Sequence, residues 1–395
     1  MQEGYDLLIR AARVVCPSAG IDAAGVVAIR GDRIAAAGSD AAGNCSRVLD
    51  FPDAILLPGL IDLHAHPACS GSIFGVDPDR HMLTRGTTTV VSQGDAGAST
   101  CEAYVRETIQ RSRTHVILAI NLSSTGEAGP GGCFEQLDTI DVAACVWAIE
   151  RFREHIWGIA VNTSHRCCGR TDPREVMRRG LRAAEETGLP ILFGMRRPED
   201  WPLEEQLALL RPGDVVTYCF RSTPHCIVER GRVLPAVREA RNRGILFDVG
   251  HGCGSFDFNV AEAAVQDEFA PDSISTDLQR GHIGETPVHD LPLVMSKLRA
   301  AGMSPRDVFA AVTSRPARIL GLADQIGSLK IGSRADLVVL RWHERGDSLV
   351  DVNDHHRAGG RWETVATIRA GRLVEELAET TTQHESAPSR DRKEI

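Results

Sequence analysis

Leu60-Ile61-Asp62-Leu63-His64-Ala65-His66-Pro67 is an apolar run that ends in two histidines one residue apart. On a strand, residues i and i+2 point the same way, so both imidazoles face one space. Two neutral imidazoles are good ligands for zinc or a similar divalent ion. An isolated His-x-His pair is common by chance. Here the pair follows Pro58-Gly59 and ends the first apolar strand of a long alternating pattern, which gives it weight.

Outward from that strand, apolar segments recur at 55–63, 87–91, 116–122, 156–161, 190–193, 214–220, 245–249 and 273–277. Helix-like stretches such as 174–187, 234–243 and 260–269 fill the gaps between them. Strands alternating with helices imply right-handed crossovers and a parallel sheet. Eight of them predict an α/β fold with a closed (β/α)8 TIM-like barrel over residues 55–325. The texture differs at the two chain ends. Short strands and tight turns such as Gly31-Asp32 occupy the first fifty residues, and similar strands return at 327–330, 335–340 and 365–374. The ends, 1–54 and 326–376, are predicted to pair into a small β-sandwich domain. Residues 377–395 are polar and charged, and a disordered tail is expected there.

Composition narrows the partners. The 395 residues are 43% hydrophobic, ordinary for a globular protein, and the formal net charge of −9 argues against nucleic acid. No apolar run approaches the ~18 residues of a membrane helix. Met1-Gln2-Glu3-Gly4-Tyr5 lacks the layout of a signal peptide. Eleven scattered cysteines read as reduced thiols. A cytoplasmic protein acting on a small molecule is the expectation.

In such a barrel the active site lies at the carboxyl ends of the strands. After the histidine pair, those ends carry Gln93-Gly94-Asp95, then Asn121 and Ser123, then Asn162 with His165-Arg166-Cys167-Cys168. Gly194 follows with Arg196 and Arg197, then Tyr218, Cys219 and Arg221, then His251-Gly252-Cys253-Gly254. The eighth end brings Asp277 with Gln279, Arg280 and His282.

With these residues in place, the sequence resembles the amidohydrolase superfamily of metal-dependent hydrolases. The likeness rests on Pro58-Gly59-Leu60-Ile61-Asp62-Leu63-His64-Ala65-His66, on Gly86-Thr87-Thr88-Thr89-Val90-Val91, on Asp277 and on the closing run from Gly327 to Val339. Gly244-Ile245-Leu246-Phe247-Asp248-Val249-Gly250-His251-Gly252 and Ser273-Ile274-Ser275-Thr276-Asp277-Leu278 look like the dihydroorotase-like branch, which includes N-acyl amino acid deacylases. The resemblance implies a binuclear centre built from the first-strand histidines, a carboxylated lysine, two further histidines and the eighth-strand aspartate. This chain departs from that set. Ala160 stands at the lysine position, Gly194 and Tyr218 at the two later histidine positions.

His64, His66 and Asp277 remain, enough for one catalytic zinc with a position open to water. Manganese and cobalt are the alternatives. His251, His165 and Cys168 are candidate extra ligands. Asp277 is the expected proton carrier, with His251 and Tyr218 as further catalytic candidates. Arg196, Arg221, Arg280, Asn121 and Asn162 are expected to contact substrate, the arginines by clamping a carboxylate. The expected activity is mononuclear, metal-dependent hydrolysis of a small-molecule amide, cyclic amide or ester. A non-catalytic scaffold or binding protein and a metal-dependent lyase or isomerase are the alternatives. A dimer is a family-level expectation.

Overall fold

The computed structural model describes residues 4–38, 44–222, 226–345 and 348–375. The tail expected at 377–395 lies outside them. Two seven-stranded sheets carry the fold. The expected first strand proves to be two. Val48–Pro58 pairs with Leu337–His343 in one sheet, and Leu60–Ala65 opens the other. Gly59 sits at the break because a Cβ there would lie 2.2 Å from the Thr88 hydroxyl. The boundary expected between residues 54 and 55 therefore falls inside a strand, since Ile55–Pro58 pair with Leu340–Leu337.

The first sheet joins both chain ends. Its order runs Arg372–Leu373, Arg361–Arg369, Leu337–His343, Val48–Pro58, Leu7–Cys16, Ile21–Arg30, Arg33–Gly38. Hydrogen bonds make it one continuous sheet, where the sequence suggested a sandwich. Ile9, Val14, Val27, Ile29, Leu56, Leu337 and Val339 form its buried core.

The second sheet is parallel throughout. It runs Leu60–Ala65, Thr87–Gln93, His115–Asn121, Ile156–Asn162, Ile191–Gly194, Val215–Thr217, Leu246–Phe247. Helices such as Val142–Arg151, Pro173–Thr187, Pro235–Asn242 and Phe258–Gln266 lie in the crossovers. Pro173–Thr187 is capped by the Asp172 side chain at one end and by left-handed Gly188 at the other. It buries Val176, Met177, Gly180, Ala183 and Ala184, the apolar stripe of an amphipathic helix.

Seven ladder strands are found where eight were expected, so the sheet is a curled α/β sheet and not a closed ladder. Residues 273–278 run between its two edges without becoming a ladder strand. At one end a single parallel bridge joins Asp248 and Ser273. At the other, Asp277 N–H donates to His64 O at 2.7 Å and His66 N–H to Leu278 O at 2.9 Å. Lower down, the amides of Ile61 and Ile274 turn to the carbonyls of Val312 and Ala311, which removes the donors a regular ladder would use. Buried Asp62 pins the segment instead, accepting from Thr276 N at 3.0 Å and Thr276 Oγ1 at 2.5 Å. Burial pushes its carboxyl up to about 7.

Candidate active site

Leu60–Ala65 delivers His64 and His66 to the edge facing residues 273–278, where Asp277 meets both. His64 Nε2 and His66 Nε2 lie 3.4 and 3.1 Å from Asp277 Oδ1. All three residues are buried. The outward ring nitrogens are already occupied. His64 Nδ1–H donates to Thr217 Oγ1 at 2.7 Å, and that hydroxyl donates to Asp248 Oδ2 at 2.9 Å. His66 Nδ1–H donates to Asp95 Oδ1 at 3.1 Å, and Asp95 is held by the Ser72 and Ser92 hydroxyls, each at 2.6 Å. These bonds fix the tautomers so that both Nε2 lone pairs point inward, as a metal-ligating histidine requires.

Three lone pairs thus converge, and Asp277 Oδ1 is buried without a hydrogen-bond partner. A cation is what such a cluster lacks, so the residues fit a divalent ion with two nitrogen ligands and one oxygen ligand. Burial lowers the pKa of the His66 imidazole, but the Glu127 and Asp95 carboxylates outweigh it and push it well above its ordinary value. The histidines likewise overcome burial at Asp277 and hold its carboxyl well below the usual range.

His66 and Asp277 line the floor of a cavity of about 660 Å³, and fully buried His64 adjoins Asp277. Tyr218 lines it, with its hydroxyl 3.4 Å from His64 Nε2 and its ring centroid 5.1 Å from that of His64. Burial raises the phenol well above its usual pKa, so it stays a hydrogen-bond donor. Both Tyr218 (φ +64°) and Asp277 (φ +49°) sit in the left-handed region. Non-glycine residues there carry strain that the surroundings must offset, and such residues cluster at functional sites.

Arg221 and Asn162, the expected substrate contacts, also line the cavity. Five expected residues take other places. His251 turns away: its Nε2 accepts from Lys297 Nζ at 2.8 Å and its Nδ1–H donates to Gly252 O, so neither nitrogen is free to ligate or to take a proton. Cys168 is buried with its thiol toward Asn162 O. Arg196 is buried, bound to Asp200 at 2.7 Å and to His165 Nδ1 at 2.9 Å, while Arg197, also paired with Asp200 at 2.9 Å, lies on the cavity wall. Asn121 bonds Gly94 O and Ser123 N, a structural role. Arg280 reaches Gly75 O. His165 stands at the rim with an exposed side chain, apart from the His64–His66–Asp277 cluster. Ala160 is packed in the core, and a Cβ at Gly194 would lie 2.7 Å from the Asn162 side chain, so neither position offers a ligand.

Glu127 and Phe74 line the cavity without having been read in the sequence, and Arg166 was quoted there without a role. Glu127 places Oε2 3.1 Å from His66 Nδ1; that oxygen is buried and has no hydrogen-bond partner, and burial raises its carboxyl pKa. Phe74 lies 5.3 Å from His66, and Arg166 lies 5.2 Å above Phe74. Glu127 belongs to the glycine-rich loop Gly126-Glu127-Ala128-Gly129, which carries no ligand-like spacing.

Comparison with known proteins points to one family. The sequence profile of the amidohydrolase family matches residues 254–370. A deacetylase of Agrobacterium fabrum is 35% identical over 319 residues, covering 79% of this chain and 77% of the relative. A deacetylase of Enterococcus faecalis is 29% identical, covering 94% and 99%. Among solved structures, an adenine deaminase superposes with TM-score 0.84 at 28% identity, over 93% of this chain and 99% of its own. A dihydroorotase gives 0.83 at 29%, over 93% and 98%.

Proposed function

The chain belongs to the amidohydrolase family, and on that premise we propose that it hydrolyses an acyl C–N bond, or a related ester, of a small carboxylate-bearing molecule at a single divalent ion, zinc first. The observation that carries this reading is the convergence of His64 Nε2, His66 Nε2 and Asp277 Oδ1 on one point of the cavity floor. An ion held there supplies Lewis acidity, which makes water acidic near neutral pH and polarises a carbonyl. A single ion follows from Ala160, Gly194 and Tyr218, which bring no second set of ligands to the floor. The reading treats the curled sheet plus residues 273–278 as a barrel of the (β/α)8 kind. Eleven free cysteines accord with a reducing compartment, the cytoplasm.

The remaining chemistry falls to side chains of this chain. Asp277, ionised and at the floor, accepts a proton from water and returns it to the leaving nitrogen or oxygen. Tyr218 O–H donates to the carbonyl oxygen as charge develops on it. Arg166 and Arg221 line the cavity, and neither has a carboxylate partner among the described residues. Each guanidinium lies over a ring that abuts a floor histidine: Arg166 over Phe74 beside His66, Arg221 over Tyr218 beside His64. Burial lowers the Arg221 pKa, so an anion there relieves an uncompensated charge. Two forked donors above the floor match a substrate carboxylate.

A panel of N-acetyl amino acids, O-acetyl hydroxy acids and cyclic amides tests the reading. Hydrolysis is expected for carboxylate-bearing members and is abolished by Asp277→Asn. Turnover of neutral members alone, or no turnover across the panel in zinc-loaded protein, contradicts it.

A further inference from the structure

Three buried side chains that the proposed chemistry does not use lie directly behind Asp277. Lys297, on helix Leu291–Ala300, donates Nζ–H to His251 Nε2 at 2.8 Å, and His251 Nδ1–H donates to Gly252 O at 2.9 Å. His251 is thereby held neutral, in one tautomer, with its ring stacked on Phe256 at 4.9 Å. His289 Nε2–H donates to Thr276 O at 2.9 Å, and its ring stacks on His282 at 3.9 Å with 10° between planes.

What the three share is the peptide joining Thr276 to Asp277. The Thr276 carbonyl receives two donors, His289 Nε2–H and Gly252 N–H at 2.9 Å, while the Asp277 amide donates to His64 O at 2.7 Å. Every polar atom of that peptide is paired, and it is the peptide whose orientation sets φ of left-handed Asp277. Gly252 is itself left-handed, at φ +51°, and a Cβ there would lie 2.3 Å from Asp277 Oδ2, so the carboxylate rests on the bare Cα of the turn. His251 belongs to that turn, and Lys297 anchors it from the neighbouring helix. A lysine at 6% exposure is costly to keep, and burial pushes its pKa down to about 8.

We propose that Lys297, His251 and His289 are positioning residues that clamp the Thr276–Asp277 peptide and so hold the Asp277 carboxylate against His64 and His66. The inference rests on the proposed function for its catalytic consequence, but the clamp itself is a property of this chain alone.

The test compares His289→Phe, which keeps a ring and removes the donor, with His289→Gln, which keeps a donor for Thr276 O. Lys297→Met is the second variant, in case His289→Phe does not fold. Zinc affinity by competition titration, kcat and KM, and a crystal structure of each zinc-free variant are the readouts. Loss of an outer-shell partner of this kind weakens metal binding 10- to 100-fold. His289→Phe and Lys297→Met are expected to show that loss, with kcat falling and KM little changed, and His289→Gln to recover most of it. Crystal structures are expected to show Asp277 displaced from the histidines in the two donor-less variants. Zinc affinity within twofold of wild type with Asp277 in place would overturn the proposal. If wild type itself binds no zinc, the proposed function fails, and the position of Asp277 in the variant crystals still decides the clamp.

Discussion

At the scale of the residue, Tyr218 and Arg221 carry the sharpest consequences. Tyr218 offers one hydrogen-bond donor beside the floor histidines, and removing a donor of that type costs about 100-fold in kcat. Tyr218→Phe is therefore expected to lower kcat by about that factor, with metal content and KM little changed, in steady-state assays beside elemental analysis. Loss of metal instead would make the phenol a ligand. Arg221→Lys exchanges a planar fork for a point charge and is expected to raise KM about tenfold for a carboxylate-bearing substrate, but not for its neutral amide analogue. His64 and His66 were legible in sequence because strand spacing alone aims them at one space. His251 was not, because its direction depends on Lys297, 46 residues further along the chain. Arg196 and Arg197 cannot be told apart by pattern; Asp200 pairs with both, but Arg196 is buried with a further bond to His165 while Arg197 keeps a place on the cavity wall.

At the scale of the element, apolar runs located the strands but not their ladders. Residues 214–220 and 245–249 were read as full strands, yet only Val215–Thr217 and Leu246–Phe247 form ladder strands, because the chain beyond them turns to build the site. Helices were more legible, since caps and spacing are local: Pro173–Thr187 extends the expected 174–187 by one residue. Helix Leu291–Ala300 offers a test of element stability. Its N-cap, Asp290, accepts from Leu293 N at 2.8 Å, and burial pushes its carboxyl up to about 6. The folded state thus holds the Asp290 proton more tightly than the unfolded chain does. Its contribution is fully present below pH ~4 and is lost as pH rises through about 6. Asp290→Asn keeps the cap without the charge. It is expected to melt higher than wild type at pH 7.5, by up to about 3 kcal/mol in stability and less because water still reaches the carboxylate. The gain is expected to vanish at pH 4. Thermal melts at the two pH values decide it, and an equal gain at both would refute the assignment to Asp290 charge.

At the scale of the whole molecule, the two sheets are stitched by the chain itself. Val48–Pro58 belongs to one sheet and Leu60–Ala65 begins the other, so the terminal sheet and the strand leading to the histidine pair are separated by one glycine. Among the described residues, no helix is long and apolar enough to cross a membrane. Whether the assembly works as argued rests on the floor of the cavity. Elemental analysis of protein purified without added metal measures it most directly. The account predicts roughly one divalent ion per chain, lost in the His64→Ala, His66→Ala double variant. No ion together with no thermal stabilisation by added zinc, manganese or cobalt would contradict it, and two ions per chain would contradict the single-ion site.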